Sequence, residues 1–154
     1  MKSRLSRADF HKLAPEVRVS LCPLNQSAID AGGLETSLIE LVKIRASRIN
    51  GCAVCLDMHT REARALGERE DRLHVLAAWA ESPAFFGRER AALAWTVALT
   101  LVAEGHVPDA VYDEAKAAFS GKELAYLTAA VVAINGWNRV AVAFRFLPCD
   151  GAKS

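Results

Sequence analysis

The chain has 154 residues and a net charge of +1, with 19 Lys and Arg against 18 Asp and Glu. That length suits one cored domain over 1–154 rather than two, and a balanced chain without a basic stripe excludes nucleic acid as an expected partner. The hydrophobic share, 52%, exceeds the usual ~45–50%, so part of the surface is expected to be hidden in a homo-oligomer.

The opening MKSRLSRADF is charged and lacks an apolar signal core. The longest apolar runs, such as Ala91 to Ala103, fall short of the ~20 residues that span a bilayer. A cytoplasmic protein without a membrane partner is therefore expected.

In chain order, residues 15–31 have helical patterning interrupted by Pro23, which predicts two short pieces. Gly32-Gly33 stops them. A helix follows from about Glu35 to Asn50, with Gly51 as its C-terminal residue. The next runs from Cys52 to Leu66 and stops at Gly67. Residues 71–81 form a third helix before the Ser82-Pro83 break. A long helix is predicted from Arg88 to Glu104. Pro108 opens another, which ends near Ser120. Ser120 and Glu123 have capping-box spacing and begin a final stretch to about Phe146, which Asn135-Gly136 is expected to kink or break. The tail from Pro148 is expected to be loose. Alternating β-branched runs are absent, and there is no internal repeat or linker. One all-α domain follows.

The chemistry concentrates in Gly51-Cys52-Ala53-Val54-Cys55-Leu56-Asp57-Met58-His59. Two thiols fall in the first turn of a helix, where unpaired backbone N–H groups favour an anion and stabilise a thiolate. His59 lies one turn past Cys55 on the same face, placed to accept or share a thiol proton. At ~100° per residue, Cys52, Cys55 and His59 share an arc with Leu56, Ala63 and Leu66, while Asp57, Arg61 and Arg64 fall on the other side. The dithiol should face a partly buried apolar wall. In a reducing compartment a CxxC points to catalysis or metal binding rather than a staple.

Cys55 is the attacking thiol in this reading and Cys52 the resolving one; the reverse order is open. Three alternatives stand beside it. Cys52, Cys55 and His59 supply three zinc-type ligands, but a fourth is missing nearby. The thiols are otherwise inert and buried, or His59 is a packed core histidine. Cys22 and Cys149 are isolated and read as structural or incidental. His11, His74 and His106 have no motif around them and read as surface or incidental. Trp79, Trp95 and Trp137 read as core or subunit-contact residues. Arg45 falls inside the apolar arc of its helix with Leu38, Leu41 and Val42, so its guanidinium needs a structural ion pair or an anionic substrate. Glu40 falls opposite that arc and by itself reads as a surface residue. An antiparallel return after Gly51 would instead bring it level with His59 or Glu62.

The stretch from Glu40 to Thr60 (ELVKIRASRINGCAVCLDMHT) closely resembles the core of the AhpD-like alkylhydroperoxidases of the carboxymuconolactone decarboxylase superfamily, with the core motif at about 35–67. Ile134 to Arg145 (INGWNRVAVAFR) resembles the closing helix of that family. The resemblance implies a single-repeat, all-α AhpD-like helical bundle that assembles as a hexamer or trimer of dimers. It implies a thiol-dependent peroxidase or disulfide oxidoreductase without organic cofactor or metal, acting on hydroperoxides or disulfides. Cys55 would be peroxidatic and Cys52 resolving, with His59 and Glu40 as a proton relay. The reductant would be a dithiol protein of lipoyl or thioredoxin-like type. Val54 stands where the best-known branch carries a second histidine. Two rival functions follow from the same residues: a cofactor-free decarboxylase or lactone-processing enzyme, whose branch generally lacks the CxxC, and a non-catalytic stress-response scaffold.

Overall fold

In the computed structural model, which describes residues 1–148, every regular element is a helix. Helix α1 (Arg7–Leu13) leads into α2 (Pro15–Asp30), α3 (Thr36–Asn50) and α4 (Ala53–Ala65). A short α5 (Glu70–Val75) continues as a 3-10 helix (Leu76–Glu81). Then come α6 (Arg88–Thr100), the one-turn α7 (Val102–Gly105), α8 (Asp109–Ala118) and α9 (Gly121–Phe144).

The helix ends follow local chemistry. Gly51 closes α3 at φ +65°, a conformation that glycine adopts without a Cβ penalty. The expected capping box opens α9: Glu123 N–H donates to Ser120 Oγ at 3.2 Å, and Ser120 N–H donates to Glu123 Oε2 at 2.8 Å.

Helix α3 lies at the centre, against α2, α4, α6 and α9. One side packs Leu38, Ile39 and Val42 against Ala92, Trp95, Leu127 and Ala130. Another packs Leu41 and Ile44 against Ala63, Leu73, Leu76 and Phe85. A third cluster joins Phe10 and Phe146 to Cys52, Val54 and Cys55. From Leu38 to Ser47 every residue of α3 except Arg45 is buried.

A polar network locks the end of α3 to α9. Asn50 Nδ2 donates to the side-chain oxygens of Asn135 and Asn138, each at 2.9 Å. Asn138 Nδ2 donates to Ser47 Oγ at 3.0 Å, and Asn135 Nδ2 to Thr100 Oγ1 at 3.0 Å. These bonds fix the turn from which Cys52 emerges.

Several sequence expectations are corrected. Helix α2 runs unbroken through Pro23. The ring leaves the Val19 carbonyl without its helical donor, but Val19 is exposed, and α2 stays packed along α9. The stretch at Asn135-Gly136 neither breaks nor ends; a Cβ on Gly136 would meet Leu21 Cδ2 at 3.2 Å, so the glycine serves the close approach of α2 to α9. The long helix from Arg88 stops at Thr100, where the hydroxyl is tied to Asn135, and α7 follows. The third helix is α-helical only to Val75, and the last ends at Phe144 rather than Phe146. Leu66 is exposed, outside the apolar wall assigned to it. Apart from Pro148, the tail expected to be loose, with Cys149, lies outside the described residues.

Helix α9 has 24 residues and is apolar enough by length and composition to cross a membrane, contrary to the expectation from uninterrupted apolar runs. Only 39% of its most apolar 18-residue window is buried within the chain, so its outer face, including Val132 and Val142, remains open.

Candidate active site

The tight turn at Gly51 reverses the chain, so α4 returns along α3. Cys52 N–H donates to Ser47 carbonyl at 2.9 Å, closing the end of α3, and the Cys52 carbonyl accepts from Leu56 N–H, opening α4. Cys52 is therefore the N-cap residue and Cys55 lies in the first turn, where backbone N–H groups lack helical partners. The two cysteines are joined by a disulfide, with Cα atoms 5.4 Å apart. Both are buried, at 1% and 4% exposure.

The return also brings Glu40 to His59. His59 Nδ1 lies 2.9 Å from Glu40 Oε2 and 2.9 Å from Glu62 Oε2. Two carboxylates thus share one ring N–H, which leaves Nε2 as the nitrogen free for chemistry. Glu40 also accepts a 2.6 Å hydrogen bond from Lys43 Nζ. Glu40, Lys43 and His59 are buried, whereas the Glu62 side chain is 49% exposed.

The electrostatics follow from these contacts. Burial by itself pulls the His59 pKa down, but the hydrogen bonds to Glu40 and Glu62 outweigh it and hold the ring above 6.5. Burial would raise the Glu40 pKa; its bond to His59, with the nearby charges of His59 and Lys43, holds it below 4.5 instead. Each group thus favours the charged form of the other.

A cavity of about 560 Å³ opens onto this group. Cys55, His59, Glu40 and Glu62 line it, and so does Val54; Cys52 does not. Of the two disulfide-bonded cysteines, only Cys55 faces the space a substrate would enter.

Of the four expected site residues, Cys52 and Cys55 are bonded, Glu40 and His59 are in contact, and Cys55, Glu40 and His59 line one cavity. Glu40 is buried although its helix arc marks it as a surface position, because α4 covers that face. Lys43 and Glu62 were missed as site residues; each stands three positions from a relay member, Lys43 from Glu40 and Glu62 from His59, which is the signal that points to them. His11 is half-buried; it lines the cavity and packs edge-on against Trp137 at 5.8 Å. Arg45 finds no carboxylate among the described residues. Its guanidinium donates to the Ala77 carbonyl at 3.2 Å, bracing the 3-10 helix away from the cavity. Trp95 is core; Trp79 and Trp137 are half-buried. His74 and His106 are exposed, as is Cys22.

A metal could be considered at Glu40, His59 and Glu62, whose ligand atoms lie within 4.8 Å of one another. These groups already satisfy each other, and the Lys43 ammonium occupies one carboxylate oxygen. The alternative Cys52-Cys55-His59 clip conflicts with the disulfide, which removes both thiolates.

Residues 15–98 match the model of the carboxymuconolactone decarboxylase family. The chain is 34% identical to the uncharacterized protein YdfG of Bacillus subtilis strain 168 over 137 residues, covering 89% of this chain and 92% of that one. It is 32% identical to the alkyl hydroperoxide reductase AhpD of Bradyrhizobium diazoefficiens over 66 residues, 43% of this chain and 36% of the relative. Among solved structures, the ATU0492 protein of Agrobacterium tumefaciens, of unknown function with a suggested antioxidant-defence (AhpD) role, superposes with TM-score 0.88 at 40% identity, covering 96% and 98% of the two chains. The debrominase Bmp8 shares the fold, with TM-score 0.77 at 21% identity, over 90% of this chain and 74% of its own.

Proposed function

From the premise that this chain belongs to the carboxymuconolactone decarboxylase family, we propose that it is a thiol-dependent peroxidase of AhpD type. The observation that carries the proposal is the Cys55 face of the cavity, shared with an imidazole held by two carboxylates.

The cycle starts from the reduced pair. The helix start and the His59 charge favour the Cys55 thiolate. Its sulfur attacks the terminal oxygen of a hydroperoxide and the O–O bond breaks. Cys55 becomes a sulfenic acid, and the leaving alkoxide takes a proton from His59 to depart as an alcohol. Cys52 then attacks the Cys55 sulfur, water leaves, and the disulfide closes. The two electrons come from the dithiol. A dithiol protein of lipoyl or thioredoxin-like type reopens the disulfide, entering by the same cavity. Glu40 and Glu62 hold the ring in register and raise its proton affinity, so that it regains its proton from the Cys55 thiol as the next thiolate forms. This relay works without a second histidine, since Val54 fills that position.

The open face of α9 supports assembly of the chain as a homo-oligomer.

The test is peroxide consumption with a dithiol reductant. Wild type should turn over, and Cys55→Ser should fall to the uncatalysed rate. Equal rates for the two would remove Cys55 from the mechanism and the function with it.

A further inference from the structure

The part of the cavity wall built by α1 and α2 carries charge for which the peroxide chemistry has no use. Arg7 and Arg18 both line it. Arg61, Arg64, Arg69, Arg72 and Arg88 are each paired with a carboxylate, but among the described residues neither Arg7 nor Arg18 meets one. The carboxylates in the lining are Glu40 and Glu62, and both are engaged at His59.

His11 belongs to the same wall. Its Nδ1 is buried without a hydrogen-bond partner. After burial itself, the charges of Arg18 and then Arg7 hold its pKa below 6.5. Two arginines without a carboxylate partner and the His11 ring thus share the lining of one cavity. Much of the remaining lining is apolar, with Ile29, Met58, Ile134, Trp137 and Phe146. The volume, about 560 Å³, lies within the range of small-molecule sites. A neutral alkyl peroxide would leave the cations unused. An inorganic oxyanion would leave the apolar lining unused.

We propose that this cavity binds an amphipathic carboxylate, an aryl or alkyl acid whose head group sits at Arg7 and Arg18 and whose apolar body lies against Trp137 and Phe146. Guanidinium groups suit this head because their donors match the two oxygens of a carboxylate. As a substrate class the assignment rests on the peroxidase reading and names the hydroperoxide of such an acid; as a binding site it stands apart from that reading.

The experiment is calorimetric titration of the intact protein with 4-isopropylbenzoate and with its neutral amide, neither of which can react with a thiol. The benzoate should bind wild type roughly tenfold or more tightly than the amide, as charge-assisted pairing with two guanidiniums allows. The Arg7→Gln/Arg18→Gln double variant should lose that preference. Equal binding of the two compounds, binding of neither, or a preference that survives in the double variant would each overturn the proposal. Consumption of cumene hydroperoxide by wild type is measured separately. If that fails while the benzoate binds selectively, the peroxidase reading falls and the carboxylate site stands.

Discussion

The carboxylate of Glu40 and the imidazole of His59, nineteen positions apart in sequence, meet at 2.9 Å across the return from α3 to α4. Glu40 is also bound to Lys43, so one buried acid holds a cation from its own helix and another from the next. The redox site and the core share this cluster, and changes at Glu40 are expected to affect both.

Glu40→Gln should lower the His59 pKa, because it removes the largest influence that raises it. Proton NMR titration of the imidazole reads this directly. Peroxide turnover should fall by roughly 10²-fold, the low end for loss of positioned proton transfer. The same change leaves the Lys43 ammonium buried without its partner, at a cost of about 3–5 kcal/mol. Adding Lys43→Met should restore much of the stability and none of the turnover. Recovered turnover would mean that Glu40 acts only by packing.

Glu62→Gln separates the two carboxylates. Glu62 is half-exposed, so stability should change by less than about 1 kcal/mol. The His59 pKa should still fall, and the acid-requiring limb of the pH–rate profile should move to lower pH. An unmoved profile would show that Glu40 alone sets the proton affinity of the ring.

The same ionisations shape stability. Glu40 has its pKa lowered from 4.5, so its contribution is complete above that value and is lost as pH falls through the lowered folded pKa. His59 has its pKa raised from 6.5, so its contribution is complete below 6.5 and is lost as pH rises through the raised folded pKa. Urea unfolding should therefore give greatest stability between about pH 4.5 and 6.5 from this pair. His59→Gln should flatten the alkaline side of the wild-type curve.

Asn138 is fully buried and links Asn50 to Ser47. Asn138→Ala should destabilise the fold by about 1–3 kcal/mol, since it strands buried polar partners. Because the network fixes the Gly51 turn, alkylation of reduced Cys55 should also change rate. Thermal unfolding and timed alkylation check the two effects.

The open side of α9 presents Val132 and Val142, at 54% and 47% exposure. If a second copy covers that face, the double change to Asp should shift the protein to a smaller species in light scattering. An unchanged mass would place any assembly contact elsewhere.

Much of this protein is legible in its sequence because the controlling physics is local. Gly51, Gly67 and the Ser120-Glu123 box mark helix ends through backbone and capping chemistry that needs no distant partner. The Cys52, Cys55 and His59 register follows from helical pitch alone. Where distant partners decide, the sequence misleads. Pro23 reads as a break, yet α2 packs along α9 and its freed carbonyl sits at an exposed residue. Glu40 reads as solvent-facing because the arc of one helix cannot show that α4 will cover it. Arg45 reads as half of an ion pair, yet a carbonyl of the 3-10 helix takes its place. The sequence alone thus determined the all-helical class, several helix ends and the register of the sulfur pair. Only the tertiary structure decided which charges are buried together, because burial depends on what the rest of the chain lays over each face.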